Sequence, residues 1–293
     1  MQMAWLYLLV CVIFWGWTFV ATKVVLQYLT PLELLGLRFL VGLPLLLVIV
    51  RVKRLSFRFD RREKVAVLLG AAIITAHFLI QITGLQYTTA TNTGWIISIT
   101  PLVMAVLAWL LLKEMIGRRV WIGIAVASAG IMLLVSHGHL GDLAWLSSTG
   151  DWLVLVSAHT WALYTIVIRD VSQRRPPLTV TCAVLLPSAA VVLGVMAFTS
   201  DWSRFLRIPM DGVLALLFLG LLGLAIAHWF WQEGVARLGA ARAGIYLYLE
   251  PLATTLLAVP YLREPFGVYS GIGGLMVLAG VYLAGRKPRR ALD

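Results

Sequence analysis

Glu250 and Pro251 stand side by side in the stretch IYLYLEPLATTLL (245–257), which is otherwise apolar enough for a membrane interior. An acid near the bilayer centre costs about 2.5–3.5 kcal/mol, and a proline inside a helix removes a backbone hydrogen bond and kinks it. Glu250 lies roughly eight residues into its apolar run, or about 12 Å at 1.5 Å per residue, which is close to the midplane. The carboxyl must therefore face a cavity or meet a partner. Two chemistries would suit it: uptake and release of a proton, or recognition of an ammonium group. A structural reading stands beside them, in which the acid bonds backbone carbonyls freed by Pro251. The same helical face carries Tyr246 at i−4 and Arg242 at i−8. Arg242 is expected at the mouth of the pathway, as a gate residue or an anchor for its span.

Other polar side chains recur at helical spacing. His77 with Gln81, and His228 with Gln232, are each i, i+4 pairs on one face, able to relay protons or to hydrogen-bond between helices. Trp15, Thr18 and Thr22 share a face, as do Trp161 and Thr165. Both tryptophans lie about ten residues deep, too far in for the interfacial anchoring that is common for Trp, so they are expected to line a cavity or pack between helices. Lys23, near the end of its span, is a second gate candidate. His137, His139 and Asp142 give only a weak metal signal. No catalytic residue, metal or cofactor is expected.

These residues need elements to position them. The chain has 293 residues, 61% hydrophobic and 13% charged, with a mean hydropathy of +0.92; soluble domains are near ~25% charged. Ten apolar runs long enough to span a bilayer fall near 4–24, 31–50, 65–84, 92–112, 119–136, 151–168, 179–199, 211–233, 242–262 and 267–285. The expected fold is an all-α membrane protein. The N-terminus reads as the start of the first span, and Cys11 and Cys182 fall inside spans, so no disulfide framework is implied. With the N-terminus in the cytoplasm, the cytoplasmic connections and tail hold 19 Lys and Arg and the external ones 4. That asymmetry predicts cytoplasmic termini and accounts for the net charge of +11 without a nucleic-acid partner.

The chain also repeats itself. An offset of 146 pairs Trp15 with Trp161, Lys23 with Arg169 and Pro31 with Pro177; an offset of 150 pairs Gly94 with Gly244, Pro101 with Pro251 and Glu114 with Glu264. AHFLIQ (76–81) matches AHWFWQ (227–232) at 151. The expected organisation is a first repeat over 1–136, an external linker over 137–150, a second repeat over 151–285 and a basic cytoplasmic tail over 286–293. Five spans per repeat, an odd number, set the two copies upside-down to each other. Inverted repeats are typical of secondary transporters, whose substrate sites lie near the midplane. Pro101 and Pro251 then form a pair of hinges. Glu250 has only Thr100 as its counterpart, and Tyr246 and Arg242 have Ile96 and Asn92, so one cavity wall is acidic and aromatic and the other, with Asn92 and Thr100, neutral and polar.

FWGWTFVATKV (14–24), TPLELLGLRF (30–39), ATNTGWIISITPLVMAVLAWLLLKE (90–114) and GIAVASAGIMLL (123–134) resemble the first EamA-type repeat of the drug/metabolite transporter superfamily. GDWLVLVSAHTWALYTIVIR (150–169) and ARAGIYLYLEPLATTLLAVPYLREP (241–265) resemble the second. The resemblance implies ten helices in a bacterial plasma membrane, with spans 1–4 and 6–9 around a central cavity and spans 5 and 10 peripheral. It implies an exporter or permease for small amphipathic metabolites, amino acids or drugs, working by alternating access and open to proton coupling. A lipid-carrier flippase or accessory membrane subunit is the alternative, and an intramembrane enzyme is disfavoured. The glycines of spans 5 and 10 suggest close packing or a homodimer through those helices.

Overall fold

The computed structural model describes residues 3–135, 148–262 and 268–285. Secondary structure there is helical, with no strand among the described residues. We number the helical rods α1 (Ala4–Val25), α2 (Pro31–Val52), α3 (Arg61–Gln86), α4 (Ala90–Leu112), α5 (Arg118–Val135), α6 (Thr149–Arg174), α7 (Pro177–Thr199), α8 (Met210–Leu238), α9 (Ala240–Tyr261) and α10 (Val268–Gly285). Eight of them, all but α5 and α10, are long and apolar enough to cross a membrane.

Polar capping turns start three rods, and two of them, α3 and α6, begin earlier than their apolar runs. Thr30, Asp60 and Ser148 each accept a hydrogen bond from the backbone N–H three residues on, and Glu33, Glu63 and Asp151 bond back to the cap N–H. These reciprocal boxes satisfy two orphan donors apiece, which hydropathy alone does not register.

Two rods are interrupted just before the paired prolines. In α4, Ser98 and Ile99 N–H turn back to Trp95 and Ile96 O over 3.0 and 3.3 Å. In α9, Ile245–Leu249 winds as a 3₁₀ turn, and Glu250 N–H donates to Leu247 O. Pro251 has no N–H to give that carbonyl, so tightening to i→i+3 bonds supplies the missing donor. A third irregularity, π-helical winding over Phe218–Ile226, lies within α8.

Contacts between the two halves come in reciprocal sets. Helix α1 packs on α8 and α9, and α6 packs on α3 and α4; α2 packs on α8, and α7 on α3. A Cβ at Gly234 would press on Leu8, and one at Gly84 on Val154, each pair being the counterpart of the other under the offsets 146 and 150. The α5–α10 crossing behaves the same way. Gly123 faces Gly280 and Ala284, while Gly130 faces Gly273 and Val277, so equivalent helices meet antiparallel, glycine to glycine.

One end of the bundle carries the start of α1, the turn 53–60 and the α8–α9 junction; it is called the basic face below. Ion pairs hold it: Arg175 meets both Glu63 oxygens at 2.9 Å, and Arg169 meets Glu114 at 3.1 Å.

Candidate functional site

The centre of the bundle holds a cavity lined by Trp15, Thr18, Phe19, Arg38, His77, Phe78, Gln81, Ile97, Thr100, Trp161, His228, Leu247 and Glu250. It draws on α1, α2, α3, α4, α6, α8 and α9. Eight of the side chains singled out from sequence meet here: Trp15, Thr18, His77, Gln81, Thr100, Trp161, His228 and Glu250.

The tryptophans related by the repeat face one another, ring centroids 4.9 Å apart and nearly perpendicular. Trp15 Nε1 donates to Gly223 O at 3.1 Å, in the π-helical stretch of α8. His228 flanks both tryptophans, and His77 flanks Trp161. His77 Nδ1 lies 2.9 Å from Ser157 O and His228 Nδ1 3.1 Å from Gly223 O. A carbonyl can only accept, so each ring carries its proton on Nδ1 and leaves Nε2 as the second functional atom; His228 Nε2 is buried without a partner.

Glu250 is 4% exposed, and its carboxyl makes no hydrogen bond or ion pair with another described residue. The two carbonyls beside it are already used: Thr254 Oγ1 lies 2.9 Å from Glu250 O and Thr255 Oγ1 donates to Pro251 O at 2.7 Å. The carbonyl that Pro251 itself frees, Leu247 O, takes the Glu250 N–H in the 3₁₀ turn and not the Glu250 carboxyl. Helix α1 holds α9 in register around it. Thr254 Oγ1 also reaches Gly16 O at 2.9 Å, and Trp17 Nε1 donates to Ala253 O at 3.1 Å. A Cβ on Gly16 would sit 2.7 Å from Glu250 O, so only glycine lets the helices approach this closely.

Several predicted residues lie elsewhere. Asn92, two turns from Thr100, sits at the end opposite the basic face, where its Nδ2 donates to Asp151 Oδ1 at 2.6 Å; Thr88 reaches the same oxygen at 2.5 Å. Lys23 Nζ donates there to Leu85 O and Thr88 O, both at 2.9 Å. Gln232 is buried on the basic side of the tryptophans, between Tyr164 Oη and Ser172 Oγ, at 2.7 Å from each. Tyr246 is half-buried against the main core. Pro101 and Pro251 are buried at the helix breaks. Arg242 is exposed at the basic face, around a second hollow shared with Glu114, Arg169 and Arg237. Glu114 Oε1 and Oε2 accept from Ala240 and Ala241 N–H at 3.3 Å, next to Gly239, whose φ of +81° suits glycine. Glu264, His137, His139 and Asp142 lie outside the described residues.

Sequence reasoning left one cavity residue without a role. Arg38 is 4% exposed on α2, with its guanidinium over the Phe78 ring at 5.3 Å. The signal was present: a lone charge in LLGLRFLVG, inside a span.

Apolar helices of membrane-crossing length around a central cavity define a multi-pass membrane protein. Comparison with known proteins takes the identification further. The chain matches the EamA-like transporter family over residues 2–136 and 148–286, and it belongs to that family. It is 29% identical to an uncharacterized transporter of Archaeoglobus fulgidus, covering 96% of this chain and 97% of that protein. It is 26% identical to the uncharacterized transporter YyaM of Bacillus subtilis over 93% and 90% of the two chains, and 28% identical to the WAT1-related protein At3g02690, chloroplastic, of Arabidopsis thaliana over 95% and 68%. A solved crystal structure with 20% identity superposes with a TM-score of 0.77 over 97% of this chain and 96% of that one; the fold is shared.

Proposed function

We propose that this transporter moves small amphipathic metabolites, amino acids or drugs by alternating access through the central cavity, and that Glu250 couples the movement to protons. The observation that carries the reading is a carboxyl near the middle of the bundle, buried, without a partner among the described residues and lining the same cavity as His77 and His228. A carboxyl so placed can exchange its proton with whichever face the cavity opens to, and a protonation state that biases two conformations is a coupling device.

Ten spans in two inverted five-helix repeats provide the two conformations. The reading is supported by the reciprocal helix contacts and by the antiparallel meeting of α5 and α10. The reading takes the membrane as a bacterial inner membrane with the basic face and both termini cytoplasmic, an orientation that the 19-to-4 distribution of Lys and Arg supports. Gly123, Gly130, Gly273 and Gly280 pack at the α5–α10 crossing within the chain, so a homodimer through these helices would use their outer faces, with Met132 and Leu275 exposed there.

Counterflow in proteoliposomes tests this, with amino acids, nucleosides and quaternary cations as cargo and an imposed pH gradient. The expected result is solute movement that the gradient accelerates in the native protein and not in Glu250→Gln. Unchanged pH dependence in the variant overturns the coupling. Movement of a lipid carrier with no solute transported would replace the reading by a flippase.

A further inference from the structure

Arg38 lies in the cavity lining as a buried guanidinium with no acceptor among the described residues. Its five N–H donors sit on a planar fork suited to a carboxylate, and the side chain is 96% buried by its 4% exposure. No described residue accepts a hydrogen bond from the guanidinium or forms an ion pair with it; Nε is fully enclosed and unpartnered. The guanidinium lies over the face of Phe78, which attracts a cation but accepts none of the in-plane hydrogen bonds. Leaving a buried charge so poorly matched costs several kcal/mol, and charges in membrane spans are kept where they meet a pathway or a ligand.

The positions of the two cavity charges in the repeat add a second argument. Under the offset 146 that aligns α2 with α7, Arg38 corresponds to Val184, a fully buried core residue. Glu250 corresponds to Thr100. Each charge is therefore present in one copy only and is not required by the fold that both copies share. The two are carried by walls packed on different neighbours: α2 on α7 and α8, α9 on α1 and α4. They line one cavity without pairing across it, while Trp15, Trp161 and Phe78 supply apolar surface between polar ends.

We infer that Arg38 receives the carboxylate of a zwitterionic solute, an α-amino acid or close analogue with an apolar side chain, whose ammonium end faces Glu250. This rests on the transporter reading above and narrows its substrate class. A bidentate guanidinium–carboxylate pair supplies both orientation and strength, and an apolar side chain suits the aromatic wall.

Counterflow with three related probes tests the inference: phenylalanine, phenethylamine, which lacks the carboxylate, and N-acetylphenylalanine, which lacks the ammonium. The native protein is expected to move phenylalanine at least tenfold faster than phenethylamine at equal concentration. Arg38→Gln should raise the KM for phenylalanine at least tenfold and remove the preference over phenethylamine, with Arg38→Lys recovering part of it. Quenching of Trp fluorescence by phenylalanine gives binding independently of turnover. If Arg38→Gln does not fold, the probe series on the native protein decides alone. Equal transport of phenylalanine and phenethylamine, or a preference untouched in Arg38→Gln, overturns the inference and leaves the transporter reading standing. Absence of movement for every solute class overturns that reading as well. Vesicles with and without phosphatidylglycerol separate the remaining source of anions. Carboxylate transport blocked by that lipid, or binding of the lipid with no zwitterion bound, would assign Arg38 to a lipid phosphate instead.

Discussion

The two ends of the central pathway use equivalent sequence positions and are filled differently. On the basic side of the Trp15–Trp161 pair, Tyr164, Gln232 and Ser172 form a continuous hydrogen-bonded plug, with Trp231 fully buried beside them. The positions aligned with these on the other side are Thr18, Gln81 and Leu26. Gln81 is partly exposed, lines the cavity and bonds to no other described side chain. The surfaces beyond follow the same division. Ion pairs of Glu63 with Arg175 and Glu114 with Arg169 tie the basic face, whereas carbonyls and Asp151 hold Lys23, Thr88 and Asn92 at the other. Among the described residues the cavity lining includes Thr18 and Gln81, whereas their counterparts Tyr164 and Gln232 are tied into the plug; under the proposed mechanism this difference closes the basic side.

Filling the open half should have the largest effect. Gln81→Trp puts a bulky ring where the plug's counterpart is missing, and transport is expected to fall at least tenfold. Because the site is partly exposed, unfolding in detergent should stay within about 0.5 kcal/mol of the native protein. Undiminished counterflow would show that solutes do not pass this half.

Opening the plug comes next. Tyr164→Phe removes the acceptor of Gln232 Nε2 and leaves a buried donor unpaired, a loss of about 1–3 kcal/mol. If that loss acts on the closed basic half, exposure there rises about 5- to 150-fold. It would be read from the labelling rate of Ile168→Cys by an impermeant thiol reagent applied at the basic face. Cys11 and Cys182, both buried, would be replaced to remove background. A labelling rate that stays at the native level would mean that the Tyr164–Gln232 bond does not hold the closure.

How much of this was legible from the sequence depends on how each residue works. The apolar helices could be read because they are long and continuous, and Trp15 and Trp161, paired by the offset of 146, meet in the cavity. Asn92 could not be placed by its alignment with Arg242. Two turns along a helix carry a side chain about 12 Å, from the cavity to the bundle's end. Gln232 and Gln81 look identical in their motifs, yet one is locked and the other open, because Tyr164 and Ser172 come from a distant helix. Arg38 was visible only as a charge inside a span; its lack of a partner is a property of the folded neighbourhood.

The ties at the basic face should yield smaller effects. Glu114→Gln keeps an acceptor for one of the Ala240 and Ala241 N–H groups and gives up the charge facing Arg169, which retains Asp170 at 2.6 Å. For a partly exposed pair the loss is about 0.5–1 kcal/mol. Labelling of Ala241→Cys should therefore rise by about 2- to 5-fold, well under the effect of Tyr164→Phe. The reverse order would make the surface tie, not the plug, the principal closure.

The smallest effect is expected from acid at Asp60, which caps α3 next to the Glu63–Arg175 pair. Its carboxylate accepts from Glu63 N–H at 2.8 Å, and that bond holds it below the ordinary carboxylate range, helped by Arg62 N–H and the charges of Arg175 and Arg174 against a little desolvation. A depressed value means that the charged form belongs to the folded cap. The contribution is thus fully present above the ordinary value near ~3.9 and is lost as pH falls through the lowered one. Asp60→Asn keeps a good cap with nothing to titrate. Thermal unfolding in detergent between about pH 6 and pH 3 should show the native protein losing more stability than the variant, with the difference confined to the acid end. Asp151 titrates in both proteins and cancels from the comparison. Parallel curves throughout would mean that the charge of Asp60 adds nothing to the tie at the basic face, leaving that closure to Arg175, Arg169 and the plug beneath them.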